Sequence, residues 1–311
     1  MIKKPNEIVQ TDNIKIRMLI AGFPGIGKTT LGLSAPRPLL IDADFGAARV
    51  NPKHRKDTIQ PDTYEELLED LKPEILEEYE TLVFDTGGAL LELMKAYCIK
   101  QDPKNSKKDG ALSLQGYGAV AKEFQRLMHM AYTQLKKHIV IIFHAKEEKD
   151  NDSTKLRILI EGQTKDTVWQ SMDLGGFMEM QGSQRTIGFT NCERYFAKGT
   201  YGIRGVMPVY ELDENNKNTF LTQLFHQIQN NLQKETESFE KEKIAYETLM
   251  ESFDFEHTEI NVLLAQIKKA KHILTSETEL IAKFKEKLKK EGYIYDKEKE
   301  KYVLDYSKLT Q

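Results

Sequence analysis

Gly22-Phe23-Pro24-Gly25-Ile26-Gly27-Lys28-Thr29 fills the pattern G-x-x-x-x-G-K-[ST] at every required position. Gly22, Gly25 and Gly27 let a backbone close around phosphate oxygens with its N–H groups turned inward, where a Cβ would obstruct it. Lys28 brings a mobile charge to β- and γ-phosphates, and the Thr29 hydroxyl is placed to ligate Mg²⁺. The whole stretch through Thr30, with Pro24 and Ile26 inside it, is the candidate phosphate cradle. Before it, Ile14 to Ala21 alternates and then turns apolar, as a strand entering a sheet does. After it, Lys28 to Ala35 reads as a short helix stopped by Pro36, so a helix N-terminus points at the anion. Strand, loop and helix in that order predict a bound nucleoside triphosphate.

Three later strands end in polar groups, which is where ligands gather in open α/β sheets. Leu39-Leu40-Ile41-Asp42-Ala43-Asp44 is apolar and then acidic. Either acid is able to face the nucleotide or to cap the next turn, and Asp44 is the candidate for a catalytic or metal-linked role. Thr81-Leu82-Val83-Phe84-Asp85-Thr86 offers Asp85 as the carboxylate linked to magnesium. Thr86 stands directly after it, where a typical AAA+ ATPase carries Glu, so a general base has to come from elsewhere. Ile139 to Phe143 is wholly apolar and ends in His144, either a sensor of the γ-phosphate and its water or a satisfied core histidine.

Composition narrows the class. The 311 residues carry a net charge of −3, so no overall basic character advertises nucleic acid, although a local patch would not show in that total. The two cysteines, Cys98 and Cys192, have neither disulfide nor zinc spacing and are expected as buried free thiols. No apolar run has membrane-spanning length, and Met1 to Pro5 has no signal-peptide pattern, so a cytoplasmic protein with no membrane partner is expected.

Between the strands, Tyr64 to Tyr79 reads as an acidic helix interrupted at Pro73, Ala89 to Lys100 as a helix, and Ala119 to Lys137 as a long one. Asp102 to Gly118 reads as a loop in which Lys104, Lys107 and Lys108, with Tyr117 after them, offer charges for phosphate and a ring for a base. A solvated loop accounts for the same residues. Lys146 to Asp166 is polar, with a strand at Leu156 to Ile160. Asp173 to Met180 and Arg185 to Thr190 are two strands joined by a turn at Gln181 to Gln184, with Glu193 to Ala197 a third, so the sheet becomes antiparallel at one edge.

The character changes near residue 212, and every arginine lies at or before Arg204. Helices are expected at Phe220 to Leu232, Glu235 to Glu251, Asn261 to Leu274 and Glu277 to Glu291, the last with a Ser276/Glu279 capping box, followed by a hairpin of Tyr293 to Tyr295 and Lys301 to Leu304. The domains so drawn are 1–211, holding the nucleotide site, and 212–311, a helical accessory region.

With the phosphate loop, Leu40 to Asp44, Asp85 and Phe143-His144 in place, the chain resembles the RecA-like ATPases. It is most similar to the core-only phage nucleotide-binding proteins that act as single-strand annealing recombinases, the Sak-four group. The resemblance spans roughly Ile14 to Tyr210. It implies an α/β RecA-like P-loop core, mostly parallel with antiparallel edge strands and helices on both faces, here with a C-terminal helical extension. It implies ATP and Mg²⁺ as ligands, with Lys28, Thr29 and Asp85 holding them. Asp44 falls on the family's water-activating Glu and reaches about one methylene less far. His144 stands at the γ-phosphate sensor, commonly Gln.

The loops after Asp85 and His144 match in location the family's two DNA-binding loops, which adds Lys155 and Arg157 to Lys104, Lys107, Lys108 and Tyr117 as candidate single-strand contacts. Phe196-Ala197-Lys198 is similar to the segment whose lysine reaches a neighbouring subunit's ATP. The second cation expected there is Thr200, with Arg204 as a substitute.

The expected function is therefore an ATPase, phage-encoded and working in a bacterial host's cytoplasm, that binds single-stranded DNA and assists annealing or strand invasion. It would assemble as a ring or filament with ATP between protomers, alongside a single-stranded-DNA-binding protein or another replication protein. The competing expectation is a nucleotide-switch adaptor resembling a helicase loader, its helical tail gripping a protein partner; a small-molecule kinase is disfavoured, because the Lys146 to Asp166 segment has only Arg157 for a phosphate lid.

Overall fold

In the computed structural model, residues 14–150, 153–160, 164–210, 212 and 217–305 are described. Met1 to Pro5, and parts of the 146–166 segment, lie outside them. Within the unit 10–232, β1 (Arg17–Gly22) lies between β5 (His138–Asp150) and β7 (Leu174–Gln181) and runs parallel to both. Outward from β5 come β4 (Thr81–Asp85), β2 (Pro38–Asp42) and the short β3 (Thr58–Ile59), all parallel. Beyond β7, β8 (Gln184–Gly188) and β9 (Val206–Val209) are antiparallel. β6 (Ser153–Ile158) folds back antiparallel on the outer half of β5. This is the mostly parallel sheet with an antiparallel edge that the RecA-like resemblance implies.

Period-two alternation sends successive side chains to opposite faces, and both faces are buried because both are apolar. Leu19, Ala21, Phe84, Ile141 and Phe143 join one core with residues of α2 (Tyr64–Asp70), α3 (Gly87–Gln101), α4 (Leu114–His129) and α5 (Thr164–Gln170). On the other face, α1 (Lys28–Gly32) sits so close that a Cβ on Gly32 would lie 3.0 Å from Val83 and 3.1 Å from Ile142. The first turns of α6 (Phe220–Glu251) complete that face: Phe225 stacks on His138 at 4.9 Å, and Leu221 N donates to Ser34 Oγ at 2.9 Å. Burying each such large apolar side chain is worth about 1.5–3 kcal/mol. Arg17 holds the strand roots together with a two-pronged bond to Asp173, Nη2 to Oδ1 at 2.6 Å and Nε to Oδ2 at 3.1 Å.

Several elements depart from the sequence expectation. The helix after the phosphate loop is only five residues long, and Ser34 and Ala35 follow it in tighter turns. The expected 102–118 loop is largely ordered: Ser106 bridges to Leu112, and Ser113 caps a helix already under way at Leu114, its Oγ accepting from Gly116 N at 3.1 Å. The helix Thr164–Gln170 has no counterpart in the sequence expectation, and the expected strand at Glu193 to Ala197 is replaced by isolated bridges, the third antiparallel strand being Val206–Val209. Cys98 is buried as expected, but Cys192 is exposed.

The two helices expected in 220–251 are one continuous helix, and the compact division falls inside it, at 232/233, later than the change in composition near 212. The reason is burial of Leu221, Leu224, Phe225, Ile228 and Leu232. The C-terminal unit has its own core, made by Ile260, Leu263 and Ile267 of α7 (Ile260–Lys269) with Leu280, Phe284 and Leu288 of α8 (Ser276–Glu291). Its hairpin, β10 (Tyr293–Asp296) and β11 (Lys301–Leu304), is present as expected. The capping box is not: Thr275 is the N-cap, and the buried Ser276 Oγ accepts from Ile273 N at 2.9 Å.

Candidate functional site

Because β1, β2, β4 and β5 are parallel, their polar ends share one edge of the sheet. Register sets Gly22 opposite His144 and Asp42 opposite Asp85. The phosphate loop therefore meets residues far from it in sequence around a cavity of about 350 Å³, lined by Lys28, Thr29, Asp44, Arg49, Asp85 and His144. Pro24, Gly25, Gly27 and Thr30 line it too, whereas Gly22 and Ile26 do not. Gly25 and Gly27 have φ of +79° and +96°, a backbone that residues with a Cβ avoid. Gly22 serves packing instead, since a Cβ there would lie 2.7 Å from Met178 O.

The two acids after β2 divide the roles that sequence left open. Asp42 is buried and spent on structure: its carboxylate accepts from Gly46 N at 2.8 Å, Ala47 N at 2.9 Å and Gln60 Nε2 at 2.7 Å. Asp44 faces the cavity. Its Oδ2 pairs with Arg49 Nη2 at 3.1 Å, and its Oδ1 is buried with no hydrogen-bond partner among the described residues.

Lys28 is 5% exposed, and its Nζ donates to Phe23 O at 2.8 Å. His144 Nδ1 lies 3.3 Å from the same Nζ. An ammonium has no lone pair, so Nδ1 accepts and the ring proton sits on Nε2, free to face the cavity. Burial, then the neighbouring Lys28 charge, lower the His144 pKa, which keeps the ring neutral. Burial lowers Lys28 to about 8 against the opposing pull of Asp85 and Asp44, and raises Asp85 to about 6. Thr29 Oγ1 donates to Asp85 Oδ2 at 2.5 Å. Thr86, after Asp85, caps α3 by accepting from Ala89 N at 3.2 Å, which gives that position a structural use.

The donor set fits a hard divalent cation. A hydroxyl and a buried carboxylate, both oxygen ligands, meet at the phosphate loop, Thr29 Oγ1 donating to Asp85 Oδ2. Among the described residues there is no cluster of three or more metal-ligating side chains, so any ion held here would rely on phosphate and water for its remaining ligands.

There are two further hollows in the same unit. One of about 570 Å³ opens beside Gly27 and Thr30 and is lined by Arg185, Tyr210, Asn218 and Gln223; Arg185 Nε donates to Ile26 O at 3.1 Å. The other, of about 660 Å³, is lined by Lys95, Tyr117, Lys146, Glu148, Arg157 and Lys165. Tyr117 and Arg157, taken from two separate segments of sequence, meet there. Lys104, Lys107 and Lys108 are exposed on the bridged turn before α4 and do not line it; nor does Lys155, which lies opposite Glu148 in the β5–β6 ladder.

Lys198 Nζ donates to Met172 O at 2.5 Å, and Arg204 is exposed. Sequence reasoning passed over Arg49, Arg185, Lys95, Lys146 and Lys165. Only Lys146 left a usable signal, because it lies two residues after His144 on one strand and so on the same face.

Residues 14–201, more than half of the chain, match the AAA domain family AAA_24. The chain belongs to this family. It is an ATPase, and the AAA domain spans every strand from β1 to β8 and the whole phosphate cavity. Solved structures similar to it include a RadB recombinase, 14% identical with a TM-score of 0.36 over 56% of this chain and 79% of that one. A KaiC-like protein from Pyrococcus horikoshii is 9% identical with a TM-score of 0.37, over 63% of this chain and 89% of that one. Among curated proteins, none matches this sequence. No helix among the described residues is long and apolar enough to cross a membrane.

Proposed function

We propose that this AAA-domain ATPase binds single-stranded DNA and uses ATP to promote annealing or strand invasion, as a phage-type recombinase of the Sak-four group. The observation that carries the reading is the convergence of Tyr117 and Arg157 with Lys95, Lys146 and Lys165 in one hollow. It offers four cations against the two carboxylates Glu92 and Glu148, and a ring on which a base can stack. A chain of net charge −3 needs such a local concentration to hold a polyanion.

β5 links the two sites. His144 lines the phosphate cavity, and Lys146 and Glu148, next on the same face, line the basic hollow. A change in what His144 contacts thus reaches the DNA side through one rigid strand.

In the nucleotide site, Lys28 and the Gly25 and Gly27 backbone would hold the phosphates, and Thr29 and Asp85 would hold a magnesium ion, which would supply charge neutralisation to them. Asp44 orients and deprotonates the attacking water, and His144 donates from Nε2 to the γ-phosphate or that water. The hollow of Arg185, Tyr210, Asn218 and Gln223 takes the nucleoside. ATP lies between protomers of a ring or filament. Lys198 would have to leave Met172 O to reach a neighbour's nucleotide, so Arg204 is the better-placed cation.

ATP hydrolysis measured with and without single-stranded DNA, across a salt series, tests the reading. Stimulation that fades as salt rises is the expected result. Absence of both stimulation and DNA retention at low salt sinks the recombination reading and leaves the ATPase intact.

A further inference from the structure

Arg49 holds a place in the phosphate cavity that neither the sequence motif nor the family match assigns. It closes a 3-10 turn, Ala47–Arg49, whose start is pinned by Asp42 through Gly46 N and Ala47 N, and Arg49 N donates to Gly46 O at 2.9 Å. The side chain is 72% exposed, so packing does not hold it, yet its guanidinium lies over the cavity against Asp44 Oδ2.

Gly46 makes this approach possible. Its φ of −93° suits any residue, so glycine is not needed there for backbone reasons. Space is the reason: a Cβ on Gly46 would stand 2.0 Å from Arg49 Nη2 and 2.7 Å from Asp44 Oδ1. The loop brings a planar, charged fork next to the carboxylate that faces the cavity.

We propose that Arg49 is a catalytic arginine acting in cis, exchanging Asp44 for the γ-phosphoryl group when ATP binds and so releasing Asp44 to the attacking water. The inference rests on the reading of Asp44 given above. In the step itself, a bond forms from the water oxygen to the γ-phosphorus while the bond from that phosphorus to the β–γ bridging oxygen breaks. The bonding pair leaves on ADP; one water proton passes through Asp44 to solvent, and the other stays on the phosphate. Charge grows on the bridging and γ-oxygens, and the two outer N–H groups of Arg49 are matched to a pair of them. Without a γ-phosphate, Arg49 remains on Asp44 and the base is occupied.

Single-turnover hydrolysis, together with affinities for ADP and for a non-hydrolysable ATP analogue, tests this on the full chain. Arg49→Ala is expected to slow hydrolysis by about 10³-fold. It should weaken the ATP analogue relative to ADP by roughly tenfold, the loss of a charged contact made only to the γ-phosphate. Arg49→Lys keeps the charge without the fork and recovers only part. Gly46→Ala, which displaces the guanidinium without removing it, should fall with Arg49→Ala while retaining ADP affinity.

A mixture of Arg49→Ala with Lys28→Ala separates cis from trans, because a subunit lacking Lys28 still carries Arg49 to offer a neighbour. No recovery in the mixture is expected; restored hydrolysis overturns the cis assignment. Unchanged hydrolysis in Arg49→Ala, or equal loss of ADP and ATP-analogue affinity, also overturns the proposal. If Asp44→Asn hydrolyses at the wild-type rate, the reading of Asp44 beneath it fails separately.

Discussion

The phosphate cavity and the basic hollow both draw residues from one face of β5, His144 for the cavity and Lys146 and Glu148 for the hollow, and they handle charge in opposite ways. In the cavity Lys28 and Asp85 are buried, each with a fixed partner, and burial is the main cause that moves Lys28 down to about 8 and Asp85 up to about 6. In the hollow the cations keep access to solvent: Lys146 is exposed, Arg157 and Lys165 are half-buried, and half-buried Lys95 pairs with Glu92 at 3.3 Å. The difference teaches where each kind of energy comes from. A preorganised, desolvated site stabilises one small charged group strongly, whereas exposed cations give a salt-dependent attraction that tolerates a flexible polymer.

Three experiments sharpen or break that contrast. Replacing Asp85 with Asn should lower ATP hydrolysis by about 10²–10³-fold, as loss of one buried transition-state contact does, and leave DNA retention at low salt in place. If retention disappears with it, the two sites are not separable. Tyr117→Ala should weaken single-strand binding by about 1–3 kcal/mol through lost stacking, read in a filter or anisotropy titration, with hydrolysis in the absence of DNA unchanged. Arg157→Gln should reduce the slope of log affinity against log salt by about 0.7, the share of one phosphate contact on a single strand. An unchanged slope removes Arg157 from the interface.

A further experiment, on stability rather than on either ligand, concerns the root of β5, which both regions share. His138 is 3% exposed, accepts from Ile16 N at 3.0 Å through Nδ1, and is lowered from 6.5 to about 3, burial being the main cause and Lys15 adding to it. A base with a depressed pKa binds fewer protons folded than unfolded. The stability it confers is therefore complete above pH 6.5 and is lost as pH falls towards about 3. His138→Asn keeps an acceptor for Ile16 N and cannot titrate. Over that window wild type should lose up to about 1.4 kcal/mol per pH unit more than the variant in denaturant unfolding, although the variant starts roughly 1 kcal/mol lower for want of the Phe225 stack. Equal slopes would show that His138 carries none of the acid sensitivity.

What was legible in the chain follows from the range of the forces involved. Gly22 to Thr29 was readable because its chemistry lies in consecutive residues, and the ends of β4 and β5 because an apolar strand stopping at one polar residue is a local pattern. The 102–118 segment was misread because its order comes from elsewhere: Asn105 is buried against Cys98 O, and Gly116 packs where a Cβ would stand 2.1 Å from Asn105 O. The change in composition near 212 marks where charge density rises, while the compact division at 232/233 marks where α6 stops burying apolar residues; these are different physical quantities.

Sequence by itself determined that a triphosphate site exists, that parallel strands deliver Asp85 and His144 to it, and that the sheet turns antiparallel after β7. Tertiary structure decided which of two neighbouring acids was spent on a turn and which was left facing the cavity, for nothing in Asp42-Ala43-Asp44 says which carboxylate Gly46 N and Ala47 N will take. It also decided that Arg49 reaches Asp44 across Gly46, and that Tyr117 and Arg157 share one hollow. The meeting of Tyr117 and Arg157 depends on the distance between segments far apart in the chain, fixed only when the sheet has closed its register, whereas the placing of Asp42, Asp44 and Arg49 depends on the path the backbone takes through residues 42–49 where it leaves β2.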